Sequence, residues 1–224
     1  MVTRHVSQED YDILQKAKEK GTSKMNRNDV YLALDLELNN AEDGSTPNPP
    51  IIQVGVAIGN YANYTNNNFI TRKWYFDPHE PIFPFITNLT GITDIDVVTK
   101  SVTHQQFAIE FADMMKLYKP FVNPVTWGGG DSVELKKEML DRNITFPFFG
   151  HRWIDVKTWY VLRLLANGKR PVGGLRSAMN TFKMKFDGEP HRADVDALNT
   201  LKLFFCILER QEKIQTMIEQ VKEL

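Results

Sequence analysis

Apolar and polar residues repeat with two different periods along this chain, and the changes of period mark out its elements. Tyr31 to Leu38, YLALDLEL, has leucine at every second position. Successive side chains of a strand point to opposite faces. One face therefore carries Leu32, Leu34, Leu36 and Leu38, and the other carries Tyr31, Ala33, Asp35 and Glu37. Ile51 to Gly59 predicts a second strand and Phe69 to Phe76 a third, with the Asn-rich NYANYTNNN between them read as a turn. Strands joined this closely are expected to pair antiparallel. After a Pro-punctuated stretch ending in NLTGITDID, a helix is predicted to start behind Thr103, with Gln106 at capping-box spacing. Phe107, Phe111, Met114, Met115 and Tyr118 fall on one helical stripe, and Pro120 stops it.

The second half alternates. Pro124 to Trp127 predicts a brief strand, and Gly128, Gly129 and Gly130 lead into a helix opening at Asp131. Arg152 to Asp155 predicts another short strand, followed by a helix to Ala166 that Asn167, Gly168 and Pro171 terminate. A short helix over Gly174 to Phe182 and a turn at Asp187 to Pro190 follow. From His191 to Leu224 neither Gly nor Pro intervenes, and Ala193, Ala197, Leu201, Phe204, Phe205 and Leu208 keep helical period. At the front, Ser7 to Lys20 predicts an amphipathic helix capped by Ser7 and ended by Gly21. The expected organisation is an N-terminal helical extension over 1–28, one domain over 29–210, and a helical tail over 211–224. Strands first and alternating helix and strand afterwards make an α/β domain with a mixed sheet. Sites in such sheets gather at the carboxyl ends of strands.

Asp35 and Glu37 lie at such an end. At ~3.3 Å rise per residue they are roughly 6–7 Å apart along the strand, and like charges that close repel, more so when buried. No Lys or Arg stands between Tyr31 and Asn60 to offset them; a divalent metal ion would. The plain alternative is an edge strand with a wet face. The leucine run opposes it, since a strand this apolar belongs in the covered middle of a sheet.

Asp131 follows the fourth strand and opens onto the same edge. Its spacing to Glu134 is also that of a capping box, so a helix cap is the competing role; the preceding glycines would let the backbone pass close to something bulky. In HRADVDA, His191 stands at the mouth of the last helix and Asp194 and Asp196 compete. They lie ~200° apart around it, so only one faces inward. Ala193, Ala197 and Leu201 mark the inner side, which Asp196 approaches by a small margin. A histidine at a helix start is by itself an ordinary surface residue.

These residues together resemble the DEDDh 3′–5′ exonucleases, which have the RNase H-like fold, a mixed five-stranded sheet flanked by helices. Asp35-Leu36-Glu37 is similar to the family's D-x-E strand, Trp127-Gly128-Gly129-Gly130-Asp131 to its Asp opening a helix, and His191-Arg192-Ala193-Asp194-Val195-Asp196 to its H-x-A-x-x-D, which selects Asp196 over Asp194. LTGITDIDV is similar to the stretch that shapes the terminal-nucleotide pocket, and FDGEPHRADVDALNT to the exoribonuclease branch. The likeness spans about Tyr31 to Leu208; the 39–50 loop, the first helix and the tail depart from it. It implies a 29–210 exonuclease domain that releases nucleoside monophosphates from the 3′ end of single-stranded RNA or DNA. It implies two divalent ions, Mg²⁺ or Mn²⁺, held by Asp35, Glu37, Asp131 and Asp196. His191 would be the general base, and Leu38, Leu89, Thr90 and Ile92 would contact the terminal nucleotide. Asp155 is a further acid nearby, read as supporting. The alternatives are a catalytically silent nucleic-acid-binding or scaffold module on the same fold, and an endonuclease of that fold.

Composition and charge narrow this picture. A hydrophobic content of 42% and charged content of 25% suit an ordinary globular chain, and the net charge of −1 gives no global pull toward polyanions. Locally the balance differs: residues 31–60 hold four acids and no Lys or Arg, whereas 151–192 hold nine Lys and Arg against three acids. A basic flank beside an acidic pocket suits a steered nucleic-acid backbone, a solvated helix face being the plainer reading. Tyr61, Tyr64, Phe83 and Phe85 could stack bases or belong to the core. With one cysteine, Cys206, no apolar leader and no run approaching ~20 apolar residues, the chain is expected to be intracellular and cytoplasmic, without a membrane span. Ile214, Met217, Val221 and Leu224 have the 3–4 spacing of a coiled-coil seam, for packing on the chain's own domain or for a homodimer through the C-terminal helix.

Overall fold

A computed structural model describes residues 29–144 and 152–222. The helix expected over Ser7–Lys20 and the residue Leu224 lie outside the described residues. Five strands form one sheet: β1 (Tyr31–Leu38), β2 (Ile51–Gly59), β3 (Ile70–Tyr75), β4 (Val125–Thr126) and β5 (Ile154–Asp155), in the order β3-β2-β1-β4-β5. β1 pairs antiparallel with β2, and β2 with β3, while β1, β4 and β5 run parallel. The helices among the described residues are α1 (Tyr61–Asn66), α2 (Pro84–Thr90), α3 (Asp94–Lys100), α4 (His104–Tyr118), α5 (Gly130–Asp141), α6 (Val156–Ala166), α7 (Leu175–Thr181) and α8 (Ala193–Lys222).

β1 is central and covered on both sides, as its alternation demands. Leu32, Leu34 and Leu36 join Val54, Val56 and Ile58 of β2 against Phe107 and Phe111 of α4 and Leu135 and Met139 of α5. Phe107 and Phe111 are fully buried, and truncating either to Ala costs about 3–5 kcal/mol. On the opposite face Tyr31, Ala33, Ala57 and Val125 meet Ala197, Leu201, Phe204 and Phe205 of α8, with Tyr160 of α6 and Met179 of α7 alongside. A smaller cluster joins Ile52 and Tyr75 to Ile82, Ile86, Ile92 and Val97.

The structure departs from the sequence reading in several places. The Asn-rich stretch read as a turn contains α1, because Asn60 and Asn63 cap it reciprocally, each side chain accepting from the other's backbone N–H. Tyr61 and Tyr64 pack on Phe205 of α8 and are not a base platform, whereas Phe83 and Phe85 are exposed. Helices α2 and α3 were not expected; the first starts on Pro84 and ends at Gly91 with φ +67°, and the second carries a Thr93–Asp96 capping box. Thr103 caps α4, but the Gln106 amide turns to Glu110 and not back to the cap. α8 runs without a break through residue 210, and beyond it Ile214, Met217 and Ile218 are exposed at 45–62%, uncovered by the described part of the domain. No helix among the described residues is long and apolar enough to cross a membrane.

Candidate active site

Asp35 and Glu37 project from β1 on the face that α8 covers. Their register partners on β2 are Gly55 and Gln53, and these two residues decide how closely α8 approaches. A Cβ on Gly55 would stand 2.0 Å from the Ala193 carbonyl carbon and 2.1 Å from the Asp194 nitrogen. Only a residue without a side chain leaves room for the first turn of α8 there. Gln53, fully buried, accepts the Ala193 N–H at 2.9 Å and so satisfies one of the orphan donors of that helix start.

That seat turns one face of the first turn of α8 onto the two strand carboxylates. Carboxylate oxygens of Asp35, Glu37 and Asp196 lie within 4.8 Å of one another. Asp194 points elsewhere and pairs with Lys73 at 3.1 Å, which explains physically why Asp196 is the inward acid. His191 precedes the helix with φ +61°, a left-handed conformation uncommon for a non-glycine residue. It is held there by its backbone N–H, which donates to Asp196 Oδ2 at 2.9 Å. The preceding turn is clamped: the buried Asn199 accepts from the Asp187 N–H and donates to the Asp187 and Val195 carbonyls, while Lys202 pairs with the Asp187 carboxylate.

Asp131 enters from α5. It does not cap that helix; Gly129 occupies the cap position without a side-chain hydrogen bond, and Asp131 lies in the first turn. Of the three glycines before Asp131 only Gly128 has a positive φ, +101°, and a Cβ on Gly129 or Gly130 would meet no described protein atom within 4 Å. Asp155 is the part that shapes this entry. It caps α6 by accepting from the Lys157 and Thr158 N–H groups and reaches across to the Gly128 N–H at 3.0 Å.

The acids act on one another. Burial raises the pKa of Asp35 well above the carboxylate range, and the charges of Asp131, Glu37 and Asp196 add to it. Glu37 is pushed up to about 8 by burial and by Asp196 and Asp131, with Arg192 opposing. Asp131 rises to about 7, again through burial, with Asp155 adding to it and its own backbone N–H lowering it. Burial also raises Asp196, against the hydrogen bond from His191. Such a group of hard oxygen donors, close together and without an ion-paired Lys or Arg among the described residues, fits a Mg²⁺-like cation, not a soft-ligand metal. Asp131 stands outside the three-carboxylate set but near enough for its charge to be the largest acting on Asp35.

Asp35, Glu37, Asp196 and His191 share one cleft of about 330 Å³, lined also by Trp127, Leu175, Arg176, Phe186 and Pro190. The chain therefore brings four of the five sequence-selected residues into one cleft, with Asp131 near enough for its charge to act on Asp35. The nucleotide-pocket residues fare differently. Leu89 is exposed on α2 and Leu38 is half-buried at the end of β1. Ile92 is fully buried and Thr90 nearly so, its hydroxyl donating to the Ile86 carbonyl and accepting from the Ile92 N–H. Neither side chain has surface to offer a ligand, and none of the four lines the cleft. Sequence reasoning missed Gly55 and Gln53, whose signal is a Gly and a Gln inside an otherwise apolar strand. It also missed Phe186 and counted Arg176 only as one of the nine bases of the 151–192 flank, since periodicity carries no signal for their place in the cleft wall.

The sequence matches the family described as RNase T exonuclease over residues 32–204. No curated protein matches it in sequence. Among solved structures it is similar to the nuclease domain of 3'hExo, a DEDDh family member bound to rAMP, with a TM-score of 0.70 and 22% identity over 84% of this chain and 95% of that one. It is also similar to cell-death related nuclease 4, with a TM-score of 0.69 and 16% identity over 82% and 65% of the two chains. E. coli exonuclease I in complex with a dT13 oligonucleotide matches with a TM-score of 0.58 and 17% identity over 84% of this chain and 43% of that one.

Proposed function

The chain belongs to the RNase T exonuclease family, and from that premise we propose that it removes nucleoside monophosphates from the 3′ end of single-stranded RNA or DNA by metal-dependent hydrolysis with a histidine base. The observation that carries this reading is the convergence of the Asp35, Glu37 and Asp196 carboxylates within 4.8 Å in a cleft that His191 also lines.

Each side chain then has a task. Asp35, with Glu37 and Asp196 beside it and Asp131 acting on it, would be the central carboxylate among the residues that hold the divalent ions. Glu37 and Asp196 would hold an ion with it, and Asp131, set back in α5, would contribute through water. Two divalent ions of the Mg²⁺ or Mn²⁺ type, held there, would supply an activated water and charge stabilisation for the leaving 3′ oxygen. His191, exposed at the cleft mouth, takes the proton of the attacking water in its neutral form. Of the terminal-nucleotide contacts, Leu89 and Leu38 retain accessible surface for a sugar or base, and Thr90 and Ile92 support the turn behind them.

A 5′-labelled single strand incubated with Mg²⁺, with and without EDTA, tests the whole reading. A metal-dependent ladder shortening from the 3′ end is expected; internal cuts would point to an endonuclease and an unchanged strand to a binding module. RNA, DNA and duplex substrates in parallel identify the preferred strand. His191→Ala is expected to abolish turnover and leave metal and oligonucleotide binding near normal; lost metal binding in calorimetry would contradict the assignment. The exposed Ile214, Met217 and Ile218 support a homodimer through the end of α8, and a monomer mass by light scattering would dismiss it. A single buried cysteine suits a reducing, cytoplasmic setting.

A further inference from the structure

Among the described residues, Arg176 is the only Lys or Arg that lines the cleft shared by Asp35, Glu37, His191 and Asp196. It is exposed, and its guanidinium carbon lies 5.3 Å from the ring centroid of Phe186, which forms part of the same wall. A guanidinium backed by an aromatic ring is restrained in orientation, and its rigid fork of donors matches the oxygens of a phosphate. Its charge acts on Asp196, yet no carboxylate forms an ion pair with it among the described residues. The charge count gives it a partner. Four carboxylates and the two divalent ions they would hold cancel, so a phosphodiester entering the cleft brings a negative charge for which Arg176 is the one cationic side chain in the described lining. Hydrolysis adds a second as the phosphorus becomes five-coordinate.

Resting on the exonuclease reading, we propose that Arg176, held against Phe186, is a further catalytic residue that donates a charge-assisted hydrogen bond to the non-bridging oxygens of the scissile phosphate. The water oxygen bonds to phosphorus, its proton passes to His191, the bond from phosphorus to the 3′ oxygen breaks, and that oxygen leaves as a hydroxyl on taking a proton from solvent. Arg176 stays protonated throughout and remains on the 5′-phosphate of the released monophosphate. The rival role, an electrostatic brace for Asp196, differs in sign. Removing a cation beside a metal site leaves metal affinity unchanged or tightens it if Arg176 serves the phosphate, and weakens it if Arg176 orients Asp196.

The test compares binding of adenosine 5′-monophosphate and adenosine to the full chain with Mn²⁺, by calorimetry, for the native sequence, Arg176→Met and Arg176→Lys. Arg176→Met is expected to weaken the monophosphate about 10- to 100-fold, leave adenosine unchanged and leave Mn²⁺ affinity unchanged or raised; Arg176→Lys recovers part of the loss. A monophosphate affinity within about threefold of native, an equal loss for adenosine, or weakened Mn²⁺ binding would each overturn the proposal. Failure of the native chain to shorten any strand would sink the exonuclease reading instead, and the binding comparison still decides the role of Arg176.

Discussion

His191 illustrates how much a single position depends on residues that touch no substrate. Its left-handed backbone follows a turn whose two polar backbone groups at Asp187 are both bonded to one buried amide, that of Asn199. Asn199→Ala orphans those groups and is expected to cost about 1–3 kcal/mol in stability. It should also lower kcat more than it raises KM, because the imidazole loses its position while the strand-binding surface is intact. Asn199→Asp, which keeps the acceptor for the Asp187 N–H, should recover part of kcat; steady-state kinetics beside thermal unfolding separate the two effects. At this scale the sequence was legible where chemistry repeats a pattern. Asp35, Glu37, His191 and Asp196, selected by spacing and family likeness, share the cleft, and Asp131, selected likewise, lies near enough for its charge to act on Asp35. The choice between Asp194 and Asp196 was nearly even by helix geometry, and its physical cause, Lys73, sits 121 residues away. No local pattern reports a contact across that distance.

The junction of β2 with α8 is the element on which the site turns. Gly55→Ala places a methyl where the backbone of Ala193 and Asp194 already stands, so the helix start must lift from the sheet. The expected result is a loss of at least about 1–3 kcal/mol from overpacking, together with weaker Mn²⁺ binding, since Asp196 rides on that turn. A variant with native metal affinity by calorimetry would show that the seat is not what aligns the acids. Long elements were legible because burial imposes their period: β1 by its leucines, α4 by Phe107 and Phe111, the front of α8 by Ala193, Ala197 and Leu201. The short helices α1, α2 and α3 were not, since six or seven residues hold no period; α1 and α3 are capped by Asn60 and Thr93, types that turns use equally, and α2 starts on Pro84 behind Phe83 without a side-chain cap. Asp131 was ambiguous for the same reason, a cap and a cleft acid sharing one spacing.

Across the whole molecule, four acids held in one region should destabilise the metal-free fold as they ionise. With folded-state values of about 8 for Glu37 and about 7 for Asp131, both above their ordinary range, the protonated folded form is favoured at low pH. Stability from these groups is fully present below about pH 4, their unfolded range, and is lost as pH rises through 7 and 8. In EDTA the melting temperature is therefore expected to fall by several degrees between pH 5 and pH 8, and saturating Mg²⁺ should raise it most at the upper end. A melting temperature that climbs over that interval without metal would contradict the raised values.

The three elements that carry those acids, β1, α5 and α8, are separated by most of the chain, and Asp196 comes last. During synthesis from the amino end, Asp35 and Glu37 emerge long before the turn that completes their cluster. On the proposed chemistry, a polypeptide still tethered to a ribosome holds half a blade and cannot cut until the final helix has been made.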